Sequence, residues 1–263
     1  MSEPSELIAL FDEVSATYDS VDVEFFTPMG AELVRRARIA PGEAVLDVGC
    51  GRGAVLGPAA AAAGPTGRVV GTDLAPGMVA RTAAAFAGRP NVTVTTGDAQ
   101  APAFPEASFD VVTAGLVLFF LPDPPAALAA YRRLLRPGGR LAFTSFAAYD
   151  PRYPRAMRAL AGHAGNPPPR PDHPMFASGA NLRDELTAQG YTDLEIGTFE
   201  VRSRFRDAGH WFDWVGSHGG RQLVGRIPAE RRAAAVAEAA GILGTPGEPL
   251  VLTTSVRAVV ARS

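Results

Sequence analysis

The sequence of 263 residues contains no lysine, and all 25 of its basic residues are arginine. That absence excludes Schiff-base and pyridoxal-phosphate chemistry, the phosphate-cradling P-loop and the protein-kinase strand lysine, each of which needs an ε-amine. Cysteine is nearly absent as well. With Cys50 alone, no intramolecular disulfide, Cys-based zinc site or C-x-x-C redox pair can form, and a reducing compartment is expected. Long apolar runs are missing too. The longest, Val111 to Leu121, is interrupted by Thr113 and Gly115 and falls well short of the ~20 residues that span a bilayer. The opening MSEPSELIALFDE is acidic and has no basic stretch leading into an apolar one, so it does not read as a signal peptide, and a cytoplasmic location without membrane contact is expected. A net charge of −2 without basic clusters argues against a nucleic-acid partner. The arginine-only usage, together with abundant Ala, Gly and Pro, reads as G+C-rich coding.

With 47% hydrophobic and 20% charged residues, the chain is long enough for one domain with a full core. From residue 28 to 146 short β-branched runs alternate with Ala/Leu/Arg stretches, the signature of βαβ units. The periodicity predicts strands at Ala44–Val48, Arg68–Thr72, Val92–Thr96, Phe109–Ala114 and Arg140–Ser145. Helices are predicted at Met29–Ile39, Ala54–Ala63, Gly77–Ala87 and Pro125–Arg136. Tyr149 to Asn181, rich in Pro, Arg and His, reads as an irregular lid. A helix follows at Asn181–Gln189, then a strand at Thr192–Phe205, a helical stretch over 207–244 broken at Gly219-Gly220 and Pro228, and a last strand at Leu250–Ala261. The expected architecture is α/β, a Rossmann-like doubly wound sheet of seven strands, mostly parallel with an antiparallel last strand, plus helical lid insertions. Its ligand site belongs at the carboxyl ends of the strands. As one domain over 1–263, it divides into an N-terminal helical cap (1–40), a cofactor core (41–146) and lid segments at 147–180 and 206–248.

The first strand runs into Asp47-Val48-Gly49-Cys50-Gly51-Arg52-Gly53-Ala54, a G-x-G-x-x-A loop that lets a ligand approach the backbone closely. By itself the loop does not choose a ligand. Asp47, two residues before the first glycine, does so: it repels a pyrophosphate and attracts an ammonium. S-adenosylmethionine (SAM) has an α-ammonium, a sulfonium and no phosphate. Asp73 stands 22 residues beyond Gly51, at the spacing of a ribose-binding carboxylate, and Asp98 after the third strand suits an adenine amino group. One such Asp alone is often a cap or turn residue; three in register with a glycine loop are not.

Val45-Leu46-Asp47-Val48-Gly49-Cys50-Gly51-Arg52-Gly53, Val70-Gly71-Thr72-Asp73-Leu74 with Met78, Gly97-Asp98-Ala99, Phe109-Asp110-Val111-Val112 through Leu121-Pro122-Asp123, and Leu134-Leu135-Arg136-Pro137-Gly138-Gly139 together resemble the motifs of class I SAM-dependent methyltransferases. The resemblance is to the type that includes quinone-biosynthesis and small-molecule natural-product enzymes, and it covers about residues 8 to 146. It implies that Asp47 with Gly49, Gly51 and Gly53 holds the methionine moiety and Asp73 the ribose. It also implies Asp98 and Ala99 at the adenine, Leu74 and Met78 against the adenosine, and the backbone of Ala114 and Gly115 near the methionine part. Phe11-Asp12 and Tyr18-Asp19 resemble the leader helix of this subgroup, whose tyrosine closes over the methionine end.

Methyl transfer from a sulfonium is an in-line displacement, so the protein mainly aligns the partners and supplies at most a general base. All four histidines lie in the second half, and the densest stretch, His210 to His218, carries both tryptophans. On a helix His210, Trp214 and His218 share a face. His210 and His218 are therefore the candidate bases, with Trp211 and Trp214 the candidate acceptor walls, although an ordinary amphipathic lid helix explains the same pattern. Two histidines ~12 Å apart along a helix cannot share an ion, so no metal is expected. Arg152, Arg155, Arg158, Arg170, Arg204, Arg206 and Arg221 could pair an anionic acceptor. The expected function is SAM-dependent methylation of a small organic acceptor, most simply O-methylation of a secondary metabolite, with S-adenosylhomocysteine as product. N- or C-methylation, a SAM-binding protein that carries out a rearrangement or cyclisation, and an NAD-dependent oxidoreductase are the alternatives, the last opposed by Asp47. Oligomeric state is left open.

Overall fold

The computed structural model describes residues 4–19, 21–166, 173–245 and 247–263. Its centre is one seven-stranded sheet. The strands are β1 (Ala44–Val48), β2 (Arg68–Asp73), β3 (Val92–Thr96), β4 (Phe109–Gly115), β5 (Leu135–Tyr149), β6 (Thr192–Phe205) and β7 (Leu250–Arg262), in the order β3-β2-β1-β4-β5-β7-β6. Neighbours from β3 to β5 are parallel, and β7 runs antiparallel to both β5 and β6, as the seven-strand expectation had it. The switch in strand order falls between β1 and β4, where a ligand crevice opens at the carboxyl ends.

The helices are α1 (Pro4–Val14), α2 (Phe26–Ala37), α3 (Leu56–Ala63), α4 (Pro76–Ala85), α5 (Pro124–Leu134), α6 (Arg152–His163), α7 (Gly179–Ala188), α8 (Ala208–Gly216), α9 (Arg221–Gly225) and α10 (Ala229–Leu243). β1 is buried at all five positions, as a central parallel strand must be. One face of the sheet packs on α5 and α7 through Leu128, Tyr131, Phe143, Leu182 and Val259. The opposite face packs on α2 and α3 through Leu33, Val45, Leu56 and Val111. A third core joins α6, α8 and α10 to the outer ends of β6 and β7, with Trp211, Val215, Leu243 and Leu252 at its centre. The lid helices α8 and α10 start from side-chain and backbone signals that the sequence carries: Asp207 caps α8 by accepting from His210 N at 2.8 Å, and Pro228 precedes α10.

The structure corrects the reading of Tyr149–Asn181 as irregular: Arg152–His163 is a helix. Proline in its first turn costs no hydrogen bond, and only Ala156 and Leu160 are buried, so the Arg- and Pro-rich composition concealed a narrow apolar stripe. The Pro-rich run 167–171 of that lid, with Arg170, lies outside the described residues. β5 begins five residues earlier than predicted, because Leu135 pairs with Phe109 ahead of a register shift. Among the described residues no helix is long and apolar enough to cross a membrane.

Candidate functional site

Asp47 sits near the end of β1, 1% exposed, between its register partners Gly71 and Thr113. Thr113 donates its hydroxyl to Asp47 Oδ1 at 2.8 Å, whereas Oδ2 is buried without a partner. Burial pushes this carboxyl up to about 7, the nearby Asp73 charge adds to the rise, and the Thr113 bond opposes it. A buried acceptor left unsatisfied in this way is the feature that a ligand ammonium would complete.

The glycine loop follows directly. Gly49, Gly51 and Gly53 all lie in the left-handed region, with φ of +61°, +50° and +88°. A Cβ at Gly49 would stand 2.5 Å from Val117, and one at Gly53 2.7 Å from Phe86. At Gly51 a Cβ would meet nothing within 4 Å, so the backbone there faces open space. Gly51 N donates to Asp73 Oδ2 at 2.9 Å and Ala75 N to Oδ1 at 2.9 Å, which fixes the Asp73 carboxylate at the end of β2 with a second lone-pair site left on each oxygen. Burial raises Asp73 above the usual carboxylate range.

Asp47 and the three glycines border a cavity of about 190 Å³, whose wall also includes Tyr18, Phe26, Met29, Gly115 and Thr144 but not Asp73. The N-terminal segment closes one side of it. Asp12 accepts from Gly77 N at 2.6 Å, Ser15 O accepts from Arg52 Nη1 at 2.6 Å, and the Tyr18 ring lies 4.8 Å from Phe26. Asp19, at φ +57°, is pushed up to about 6 by burial against the pull of Arg52. Sequence reasoning missed Arg52: it lines the cavity and its Nε is buried without a partner, yet between two loop glycines it reads as a spacer.

Beyond the cavity wall, Leu74 is half-buried and Ala99 buried, the carbonyl of Ala99 accepting from Tyr131 Oη at 2.6 Å. Asp98 is exposed and accepts from Gln100 N at 2.8 Å. Met78 is buried against Leu10 and Val14 of α1, so its packing in this structure is with the N-terminal helix. Ala114 is fully buried in the sheet beside Gly115.

Trp214 and His218 lie 4.5 Å apart, but α8 ends at Gly216, so His218 stands in the turn beyond it and not on one helix face with His210. The surroundings of the two histidines differ. His210 Nδ1 accepts from Arg206 N at 3.2 Å and Nε2 faces the carbonyl of Val21, so both ring nitrogens are held by backbone. His218 Nε2 is buried without a partner, the ring lies against Phe26 of the cavity wall, and burial pulls it down to about 4. Trp211 and Trp214 are buried in the lid core with their indole nitrogens unpartnered. Of the lid arginines, Arg152 is paired with Asp150 and Arg221 with Glu13, while Arg155, Arg158, Arg204 and Arg206 are exposed. Among the described residues no cluster of three His, Cys, Asp or Glu converges as a metal site would require.

Residues 46–143 match the family model described as a methyltransferase domain. Nocamycin O-methyltransferase from Saccharothrix syringae is 39% identical over 278 residues, spanning 96% of this chain and 97% of its own. Aklanonic acid methyltransferase DauC from Streptomyces sp. (strain C5) is 49% identical over 146 residues, 55% of this chain and 66% of its own. Among solved structures, the YcgJ protein from Bacillus subtilis superimposes with a TM-score of 0.60 at 19% identity, over 90% of this chain and 98% of that one, which is a likeness of fold.

Proposed function

The chain belongs to the SAM-dependent methyltransferases, and from that premise we propose that it carries a methyl group from SAM to an oxygen of a small natural product. The relatives named for nocamycin and aklanonic acid support an acceptor of that class. The observation that carries the cofactor part is Asp47 Oδ2, a buried and unpartnered carboxylate oxygen at the edge of a cavity floored by Gly51. Bound there, SAM would supply an activated methyl on sulfur for an acceptor oxygen to take with its own lone pair, the carbon–sulfur bond breaking with its electron pair left on sulfur and a hydroxyl acceptor's proton passing to water.

The chain's own residues align and desolvate that reaction. Asp47 Oδ2 takes the α-ammonium, and Arg52, across the same cavity, suits the carboxylate of the methionine zwitterion. Asp73, held by Gly51 and Ala75, keeps an acceptor site on each oxygen for the ribose hydroxyls. Gly115 and Thr144 border the transfer point, and Tyr18 with Phe26 covers it. Of the two histidines, we assign to His218 the acceptance of a hydrogen bond from the acceptor: its Nε2 has no partner among the described residues and burial keeps the ring neutral. His210 positions the start of α8. The chain thus divides into a cofactor core over 41–146, a cap over 1–40 and lid segments at 147–180 and 206–248.

The test is calorimetry with Asp73→Ala. SAM affinity falls at least tenfold, about 1.4 kcal/mol, while the unfolding midpoint stays within a few degrees. Unchanged affinity places the ribose elsewhere. Formation of S-adenosylhomocysteine against a panel of hydroxylated and acidic acceptors then reads transfer itself.

A further inference from the structure

Helix α4 buries only two of its side chains, Met78 and Thr82, which stand one turn apart on one face. Met78 packs on Leu10 and Val14 of α1, and its apolar chain accounts for that. Thr82 has no such explanation, being polar, β-branched and fully buried. A threonine within a helix commonly returns its hydroxyl to the carbonyl one turn back. Here the hydroxyl crosses instead to the glycine loop and donates to the carbonyl of Gly51 at 2.6 Å. The Cys50 thiol also reaches that carbonyl, but at 4.0 Å and as a weak donor.

Gly51 lies at φ +50°, and its N–H donates to Asp73 Oδ2 at 2.9 Å. The two peptide groups that flank this left-handed residue are therefore each fastened, one by Asp73 and the other by Thr82. Glycine populates both signs of φ about equally, so the turn does not hold itself. Without the hydroxyl, the peptide between Gly51 and Arg52 is released to rotate, and the N–H that fixes the Asp73 carboxylate loses its aim. Ala75 N still holds the other carboxylate oxygen, so Asp73 is loosened and not lost. The Thr82 methyl adds to the grip, 3.5 Å from where a Cβ at Gly53 would stand. Thr82 itself lies outside the cavity wall.

We infer that Thr82 is a positioning residue for the nucleoside half of SAM: through the Gly51 peptide it aims the Asp73 carboxylate at the ribose hydroxyls. This rests on the methyltransferase reading and deepens it by a residue that none of the sequence motifs contains.

Calorimetry measures the binding of S-adenosylhomocysteine to wild type, Thr82→Val, Thr82→Ser, Asp73→Ala and the double variant of Thr82→Val with Asp73→Ala. Valine keeps the shape and removes the hydroxyl, so affinity falls roughly fivefold, the order of one neutral hydrogen bond. Serine keeps the hydroxyl and binds within about twofold of wild type. In the Asp73→Ala background the loss on changing Thr82 to valine shrinks below about twofold, because both changes remove the same contact. The proposal is overturned if Thr82→Val alone binds within about twofold of wild type, or if its loss persists in full without the Asp73 carboxylate. A lower unfolding midpoint with affinity kept likewise overturns it and marks Thr82 as a packing residue. Should Thr82→Val not fold, Thr82→Ala takes its place against Thr82→Ser in the same cycle. Failure of the methyltransferase reading shows separately, as wild-type protein that does not bind S-adenosylhomocysteine.

Discussion

Asp47 on β1 and Arg257 on β7 are both charged side chains set into the sheet, but Asp47 Oδ2 is sealed without a partner among the described residues, whereas Arg257 donates from Nη1 to the carbonyl of Phe176. Other arginines among the described residues are paired, Arg140 with Glu43, Arg136 with Asp110 and Arg152 with Asp150. A folded protein tolerates an uncompensated buried charge at a real cost in stability, so Asp47 marks where a ligand is expected to bring the opposite sign. The two also differ in how each charge is announced. Asp47 comes inside a glycine loop that identifies it, whereas Arg257 comes in an unremarkable strand.

The strongest way to break the cofactor side of this comparison is Asp47→Asn. Loss of the charge facing the ammonium lowers SAM affinity by about 100-fold, roughly 2.7 kcal/mol, while the ligand-free protein becomes no less stable, since a buried anion has been removed. The pH dependence follows from the carboxyl at about 7. SAM binding to wild type strengthens as pH rises toward 7 and levels off above it, and Asn flattens that profile. The folded pKa lies above the unfolded one, so between about pH 4 and 7 the native state holds the proton more tightly. Stability of the ligand-free protein attributable to Asp47 therefore falls as pH rises through that window. An unchanged profile in calorimetry at pH 5.5 and 8 refutes the assignment.

A smaller effect separates ligand space from packing within the glycine loop. Gly51→Ala strains a φ of +50° and puts a methyl into open space, so SAM affinity falls by roughly tenfold, about 1.4 kcal/mol, with a minor loss of stability. Gly53→Ala drives its methyl against Phe86 and chiefly lowers the unfolding midpoint. Equal responses of the two variants, compared by calorimetry and thermal melts, erase the distinction. The smallest effects lie in the lid. His210→Gln loses about 1–2 kcal/mol of stability by disturbing the backbone contacts to Val21 and Arg206. His218→Gln leaves stability nearly unchanged and slows turnover at saturating SAM only a few-fold. A larger loss of turnover at His210 than at His218 reverses their roles.

All seven strands, and the order of the lid helices around Gly219-Gly220 and Pro228, were legible in the sequence, because β-branched runs and Gly or Pro punctuation report local conformation directly. The carboxylates at the ends of β1 and β2 and just after β3 were legible for the same reason, Asp47 and Asp73 two residues from a glycine and Asp98 next to one. What stayed hidden depended on long-range register. Arg257 meets Ser145 only through the β5–β7 pairing, more than a hundred residues apart, and Met78 meets α1 only once the N-terminal segment folds back. α6 was hidden differently: its stripe of two buried residues is too narrow to show through arginine and proline.

The position of β7 between β5 and β6 sets an order of assembly during synthesis. β6 leaves the ribosome before β7, the neighbour its edge will pair with, and waits without it while residues 206–249 are made. The parallel core from β1 to β5 can meanwhile close on its own glycine loop. Ribosomes add about 5–20 residues per second, so for some seconds the nascent chain holds the whole parallel part of the sheet while the strand that joins β6 to it has yet to arrive.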